Sequence, residues 1–115
     1  MANPCVVTDS TTGAVLASAA RIADTPWTSF AGLMGKPHLP SGEGLVIKPC
    51  SSIHTHFMRF PIDVIYVNEE HVVVGIDRGL KPWRFGRFYR KVNYVIELPA
   101  GAAASCKPGD AIQIL

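Results

Sequence analysis

At 115 residues the chain has the length of one domain with a core of its own, and a single domain over 1–115 is expected. Apolar residues make up 48% and charged residues 17%, which excludes an intrinsically disordered chain. The net charge of +2 singles out no class of partner, and no apolar run approaches the roughly 18 residues of a membrane span.

Three cysteines, Cys5, Cys50 and Cys106, are too few and too uneven for a disulfide framework. Reduced thiols in a cytoplasmic protein are expected. The first residues lack a basic region followed by an apolar one, so no signal peptide is expected.

Cys5 to Thr8 is short and β-rich, and Asp9-Ser10-Thr11-Thr12-Gly13 is turn chemistry. Ala14 to Ile22 reads as the return strand of a hairpin. A helix of about ten residues is predicted next. Thr25 is its N-cap, Pro26 its first position, and Trp27, Phe30, Ala31 and Met34 form one apolar stripe. Gly35 and Pro37 end it.

Gly44 to Lys48 reads as a strand, broken by Pro49-Cys50-Ser51-Ser52. The central stretch Ile53 to Val67 follows. In a strand, Ile53, Thr55 and Phe57 share one face and His54, His56 and Met58 the other, before Arg59-Phe60-Pro61 bends the chain. Residues 63–67 and 71–77 form a second hairpin around Asn68-Glu69-Glu70. An irregular stretch over 80–91 precedes a strand over 93–98. The alanine-rich segment 99–107 is expected as a short helix, and 110–115 as the closing strand. The fold class is therefore α+β, mainly β. It is a curled, mostly antiparallel sheet or partial barrel of about seven strands with one or two short helices.

Four constellations bear on chemistry. Cys50, His54 and His56 are soft or borderline ligands, and Asp63 can return from the next strand as another. Zinc is the metal such a set points to, but the spacing matches no standard zinc signature, and no cofactor is predicted. Against this, His54 can simply bond the backbone or a carboxylate while His56 is a surface aromatic substitute. Asp63, alone among apolar neighbours, must find donors; it pins a backbone bend or works with His54 as an acid–base or substrate-binding pair.

The stretch 81–91 holds five of the eleven Lys and Arg residues, no acid, and Trp83, Phe85, Phe88 and Tyr89 interleaved. It can be a solvated loop, a nucleic-acid or membrane-facing surface, or, through Arg84 and Arg87, a site for a small anionic ligand. Lastly, Cys50 and His54 make a possible thiolate pair without an orienting third group. No complete catalytic signature is present, so a binding or interaction module comes ahead of an enzyme. Its patch comprises His54, His56, Met58, Arg59 and Asp63, flanked by Trp83 and Arg84, for a small anionic ligand or a protein partner. An enzyme or metal-binding protein built on His54, His56, Asp63 and Cys50 is the alternative, and nucleic-acid binding through 81–91 the second.

Several blocks together resemble the DUF192 family, a domain of unknown function. They are Phe30-Ala31-Gly32-Leu33-Met34-Gly35-Lys36, Gly42-Glu43-Gly44-Leu45, Ile53-His54-Thr55, and Phe57-Met58-Arg59-Phe60-Pro61-Ile62-Asp63. Leu80-Lys81-Pro82-Trp83-Arg84, Glu97-Leu98-Pro99-Ala100-Gly101 and Pro108-Gly109-Asp110 continue the series. The blocks lie in order and span about residues 14–115. The resemblance implies a small β-rich domain and no assigned activity. His56 departs from it, standing where the family usually has an aromatic residue.

Overall fold

The computed structural model describes residues 4–25 and 33–115. Among them are seven strands: β1 (Cys5–Asp9), β2 (Ala14–Ala23), β3 (Glu43–Ile47), β4 (Ile62–Val67), β5 (Val73–Leu80), β6 (Tyr94–Pro99) and β7 (Ile112–Ile114). They form one mixed sheet in the order β5-β4-β6-β3-β2-β1-β7. Five of its pairings are antiparallel, and β2 with β3 is parallel. Both predicted hairpins are present, β1–β2 and β4–β5.

The sheet curls until its two ends meet. An isolated bridge joins Val72 to Ala111, and Val73 N donates to Asp110 O at 2.9 Å while Ile112 N donates to His71 O at 2.8 Å. The result is a curled half-barrel whose two ends touch at one place.

Side chains alternate across the central strands and divide the interior in two. Val7, Val46, Ile65, Val67, Tyr94, Ile96 and Leu98 belong to one apolar cluster. Leu45, Ile47, Ile62, Val64, Tyr66 and Val95 belong to the other, with Ile53 and Met58 laid over them from outside the sheet. β4 and β6 are buried along almost their whole length because both faces are covered.

Two expectations need correction. The predicted helix from Thr25 to Gly35 lies largely outside the described residues, but the one expected over 99–107 does not form. Separate turns close there instead, Ala102 N to Pro99 O, Ala104 N to Gly101 O and Cys106 N to Ala103 O. The amides of Gly101 and Ala103 are drawn to the Asp63 carboxylate, and Gly101 takes a positive φ of 92°. Helical propensity yields to that tertiary anchor.

Residues 53–58 are likewise not a strand. His54 makes one bridge, to Phe85, and the chain then turns, with Phe57 at φ 66°. Ile53, Thr55 and Met58 are the residues that go inward. No helix among the described residues is long and apolar enough to cross a membrane.

Candidate functional site

β3 ends at Ile47, and the chain passes over the second apolar cluster before re-entering the sheet at Ile62. Beneath this crossing is a cavity of about 260 Å³. Leu33, Met34, Ile47, Ile53 and Met58 give it apolar and thioether walls; Cys50, Ser52, His54 and Glu97 contribute its polar groups. The volume suits a molecule smaller than a drug.

Glu97 is the unusual member. It lies on β6 between Leu45 of β3 and Val64 of β4, two apolar partners in register. Only 3% of it is exposed. Burial pushes its carboxyl up to about 7, and no hydrogen bond or opposite charge among the described residues offsets that desolvation. Sequence reasoning missed this group because Glu97-Leu98-Pro99 reads as strand end and turn. The signal was there: an acid flanked by Val95, Ile96 and Leu98.

Cys50 Sγ donates to Ser52 O at 3.0 Å, and burial, together with the nearby Glu97 carboxyl, raises its thiol. It is no activated thiolate. His54 is exposed, and its Nδ1 accepts the His56 amide at 3.2 Å. Its ring meets that of His56 at 5.1 Å, so the two histidines do come together.

His56 continues the contact to Trp83 at 5.5 Å and Phe85 at 5.0 Å, and Trp83 meets Phe57 at 4.8 Å. An aromatic ridge therefore borders the cavity at His54. Phe57, Trp83, Phe85 and Phe88 are all more than half exposed, whereas Tyr89 folds back against Tyr66 at 4.7 Å. Phe57 and Trp83 hold left-handed backbone, φ 66° and 62°, a conformation bulky residues seldom adopt.

Thr55 ties the ridge together. Fully buried, it accepts Arg84 N at 2.9 Å and Trp83 N at 3.0 Å, and donates its hydroxyl to Lys81 O at 2.6 Å and its amide to Arg84 O at 2.8 Å. Arg59 and Arg84 are exposed, and Arg84 Nη1 makes a long bond to Pro82 O at 3.4 Å.

Asp63 lies elsewhere. By the strand's alternation it faces away from Val64 and Glu97. Its Oδ1 accepts Gly79 N at 2.8 Å, and its Oδ2 accepts Gly101 N and Ala103 N, both at 3.0 Å. It pins the 99–103 turns to the end of β5.

Among the described residues, the group of His, Cys, Asp and Glu donors whose ligand atoms all fall within 4.8 Å of one another is Asp9, Cys106 and Asp110, all buried. Cys50, His54, His56 and Asp63 are not gathered so closely.

A model of the DUF192 family, described as "Uncharacterized ACR, COG1430", matches residues 7–114. The chain is 37% identical over 101 residues to a UPF0127 protein of Thermococcus sibiricus, covering 81% of this chain and 62% of that one. With UPF0127 protein PH1112 of Pyrococcus horikoshii it shares 38% identity over 100 residues, covering 81% and 84%. For UPF0127 protein PF1050 of Pyrococcus furiosus the match is 42% over 65 residues and 55% of each chain, so this chain spans little more than half the length of some of these relatives. The crystal structure of a protein of unknown function from Novosphingobium aromaticivorans superposes with a TM-score of 0.82 at 26% identity, covering 96% of this chain and 83% of that one. A Sinorhizobium meliloti structure has a TM-score of 0.81 at 18% identity, over 97% and 92%, a likeness of fold alone. The family match over residues 7–114 and the Pyrococcus horikoshii relative agree: the chain belongs to the DUF192 family.

Proposed function

We propose that this chain is a one-domain ligand-binding module of the cytoplasm, and that its ligand is a small molecule or ion carrying positive charge. One observation carries the reading. Glu97 sits in the wall of a cavity, almost wholly out of solvent and without a counter-charge among the described residues. A buried carboxylate is costly unless paired. A cation entering the cavity supplies that pair, and the apolar walls hold the rest of the ligand. His54 and the aromatic ridge stand at its edge; of the patch expected for a small anionic ligand or a protein partner, His54, His56, Met58 and Trp83 are read here as lining or bordering a site for a cation instead. Asp63 instead holds the backbone amides of Gly79, Gly101 and Ala103, and Arg59 and Arg84 are exposed. Three free thiols accord with a reducing compartment. An enzyme built on Cys50 is the weaker reading, because the raised thiol is a poor nucleophile.

The test is a thermal-shift and NMR titration with methylammonium, ethylammonium and guanidinium chlorides at pH 8, where Glu97 is ionised. Stabilisation and shifts at Glu97, Met58 and Ile53 are expected, and their absence in Glu97→Gln. Equal responses in both proteins would refute the reading.

A second reading rests on the ridge. Exposed Trp83, Phe85 and Phe88 alternate with Lys81, Arg84, Arg87, Arg90 and Lys91, a pattern suited to stacking bases along a phosphate backbone. Binding of single-stranded oligonucleotides that weakens steeply with salt is its expected sign.

A further inference from the structure

We infer that the cation this cavity takes is copper(I), bound by Cys50, His54 and Met58; this rests on the ligand-binding reading above. The three donors come from one nine-residue segment, Cys50-Ser51-Ser52-Ile53-His54-Thr55-His56-Phe57-Met58, and all three line the same cavity. Met34 lines it as well. The described residues include five sulfur-bearing side chains, those of Cys5, Met34, Cys50, Met58 and Cys106, and three of the five meet here. Packing alone gives no reason for this concentration, because leucine or isoleucine would fill the same walls. Thiolate and thioether donors with an imidazole select copper(I) over harder ions.

A second observation points to a cation independently of the sulfurs. Glu97 opens into the same space, is more than nine-tenths buried and has no compensating group among the described residues. Zinc fits less well. It asks for four donors closing at about 2.0–2.3 Å, and the ligand atoms of Cys50, His54 and Glu97 are not within 4.8 Å of one another. Copper(I) needs fewer ligands, and the unbranched side chains of Met34 and Met58 can swing to meet it.

The binding step balances without a redox partner. Cys50 gives up its hydrogen bond to Ser52 O, the S–H bond breaks, a sulfur–copper bond forms, and the proton leaves to solvent. The monovalent ion then offsets one of the two negative groups that share the cavity, the Cys50 thiolate that ligates it and the Glu97 carboxylate.

The experiment is an anaerobic competition in which reduced protein is titrated into the copper(I) complex of bathocuproine disulfonate, whose visible absorbance reports the copper it retains. One equivalent should move to the protein. Cys50→Ser and Met58→Leu should each weaken retention by at least about tenfold, the lower end of what even supporting partners of a metal contribute. Met58→Leu is close to isosteric, and circular dichroism confirms that each variant is folded. A chelator that keeps all its copper overturns the inference, as does equal retention by folded Cys50→Ser. If copper is not retained while alkylammonium ions bind in a Glu97-dependent way, copper is excluded and the ligand-binding reading stands. If neither binds, both fail.

Discussion

The phenol of Tyr66 donates to Asp77 Oδ2 at 2.7 Å, and the same oxygen accepts the Arg87 amide at 2.8 Å. This shared acceptor fastens the irregular 81–91 stretch to the β4–β5 hairpin. Gly86 is part of the fastening, because a Cβ there would lie 2.2 Å from the Tyr66 hydroxyl. Tyr66→Phe should cost about 1–3 kcal/mol, the usual penalty for a buried polar group left short of a partner. Gly86→Ala should loosen the aromatic ridge without emptying the core. Urea denaturation measures the first, and amide exchange at Thr55, Trp83 and Arg84 the second.

Asp63 offers a clean separation of stability from binding. It accepts three amides from two segments, so Asp63→Ala strands three donors at once. A loss of at least about 2 kcal/mol is expected. The cavity on the opposite face of β4 should still respond to cations in whatever fraction remains folded. Chemical denaturation paired with a ligand titration checks both, and loss of binding in folded protein would place Asp63 in the site after all.

Glu97 makes stability depend on pH in the metal-free protein. Its folded carboxyl is raised by burial to about 7, above the ordinary 4.5. The protonated folded form is therefore the favoured one. Stability is full below about pH 4.5, declines as pH rises toward 7, and levels off above. The drop is on the order of 3 kcal/mol from a shift of this size. Glu97→Gln should flatten the profile and raise the melting temperature at pH 8. An unchanged profile would mean that water reaches the carboxylate.

Asp9 and Asp110 should behave as one acid. Asp9 Oδ1 accepts the Thr11 and Thr12 amides, while its Oδ2 is buried with no conventional donor among the described residues. Burial opposes ionisation of Asp9, yet hydrogen bonds from Asp110, the Thr12 amide and Cys106 outweigh it and the carboxyl is lowered. The bond to Asp9 raises Asp110. One proton, carried by Asp110, satisfies both. Asp9 contributes stability that is lost as pH falls through its lowered value, and Asp110 stability that is lost as pH rises through its raised one. Asp110→Asn supplies a permanent donor and should remove the loss on the alkaline side only, as followed by melting temperature against pH.

The strands were legible because their patterns are local. Alternation and turn residues locate both hairpins, and Gly13 takes the positive φ its turn requires. What could not be read was long-range. Ile53 to Met58 has the alternation of a strand, but its hydrogen bonds go to residues 81–86 of a distant loop. The alanines of 99–107 favour helix until Asp63 takes the amides of Gly101 and Ala103. The site was half legible: Cys50, His54, His56, Met58 and Trp83 stand at or beside the cavity, whereas Asp63 does not. Glu97 escaped because Glu97-Leu98-Pro99 reads as the end of a strand, although its apolar neighbours Val95, Ile96 and Leu98 mark it as an acid that the sheet can seal.

The Val72–Ala111 bridge sets the order in which the molecule can be completed. β7 is translated last of the seven strands, yet it lies beside β1 and brings the sheet's two ends together. Until residues 109–114 have left the ribosome, β1 and the start of β5 present open backbone to their surroundings. Closure is thus a late, long-range event that local hairpin formation cannot accelerate. During that interval the nascent chain is exposed to edge-to-edge association, a hazard the finished fold no longer carries at that seam.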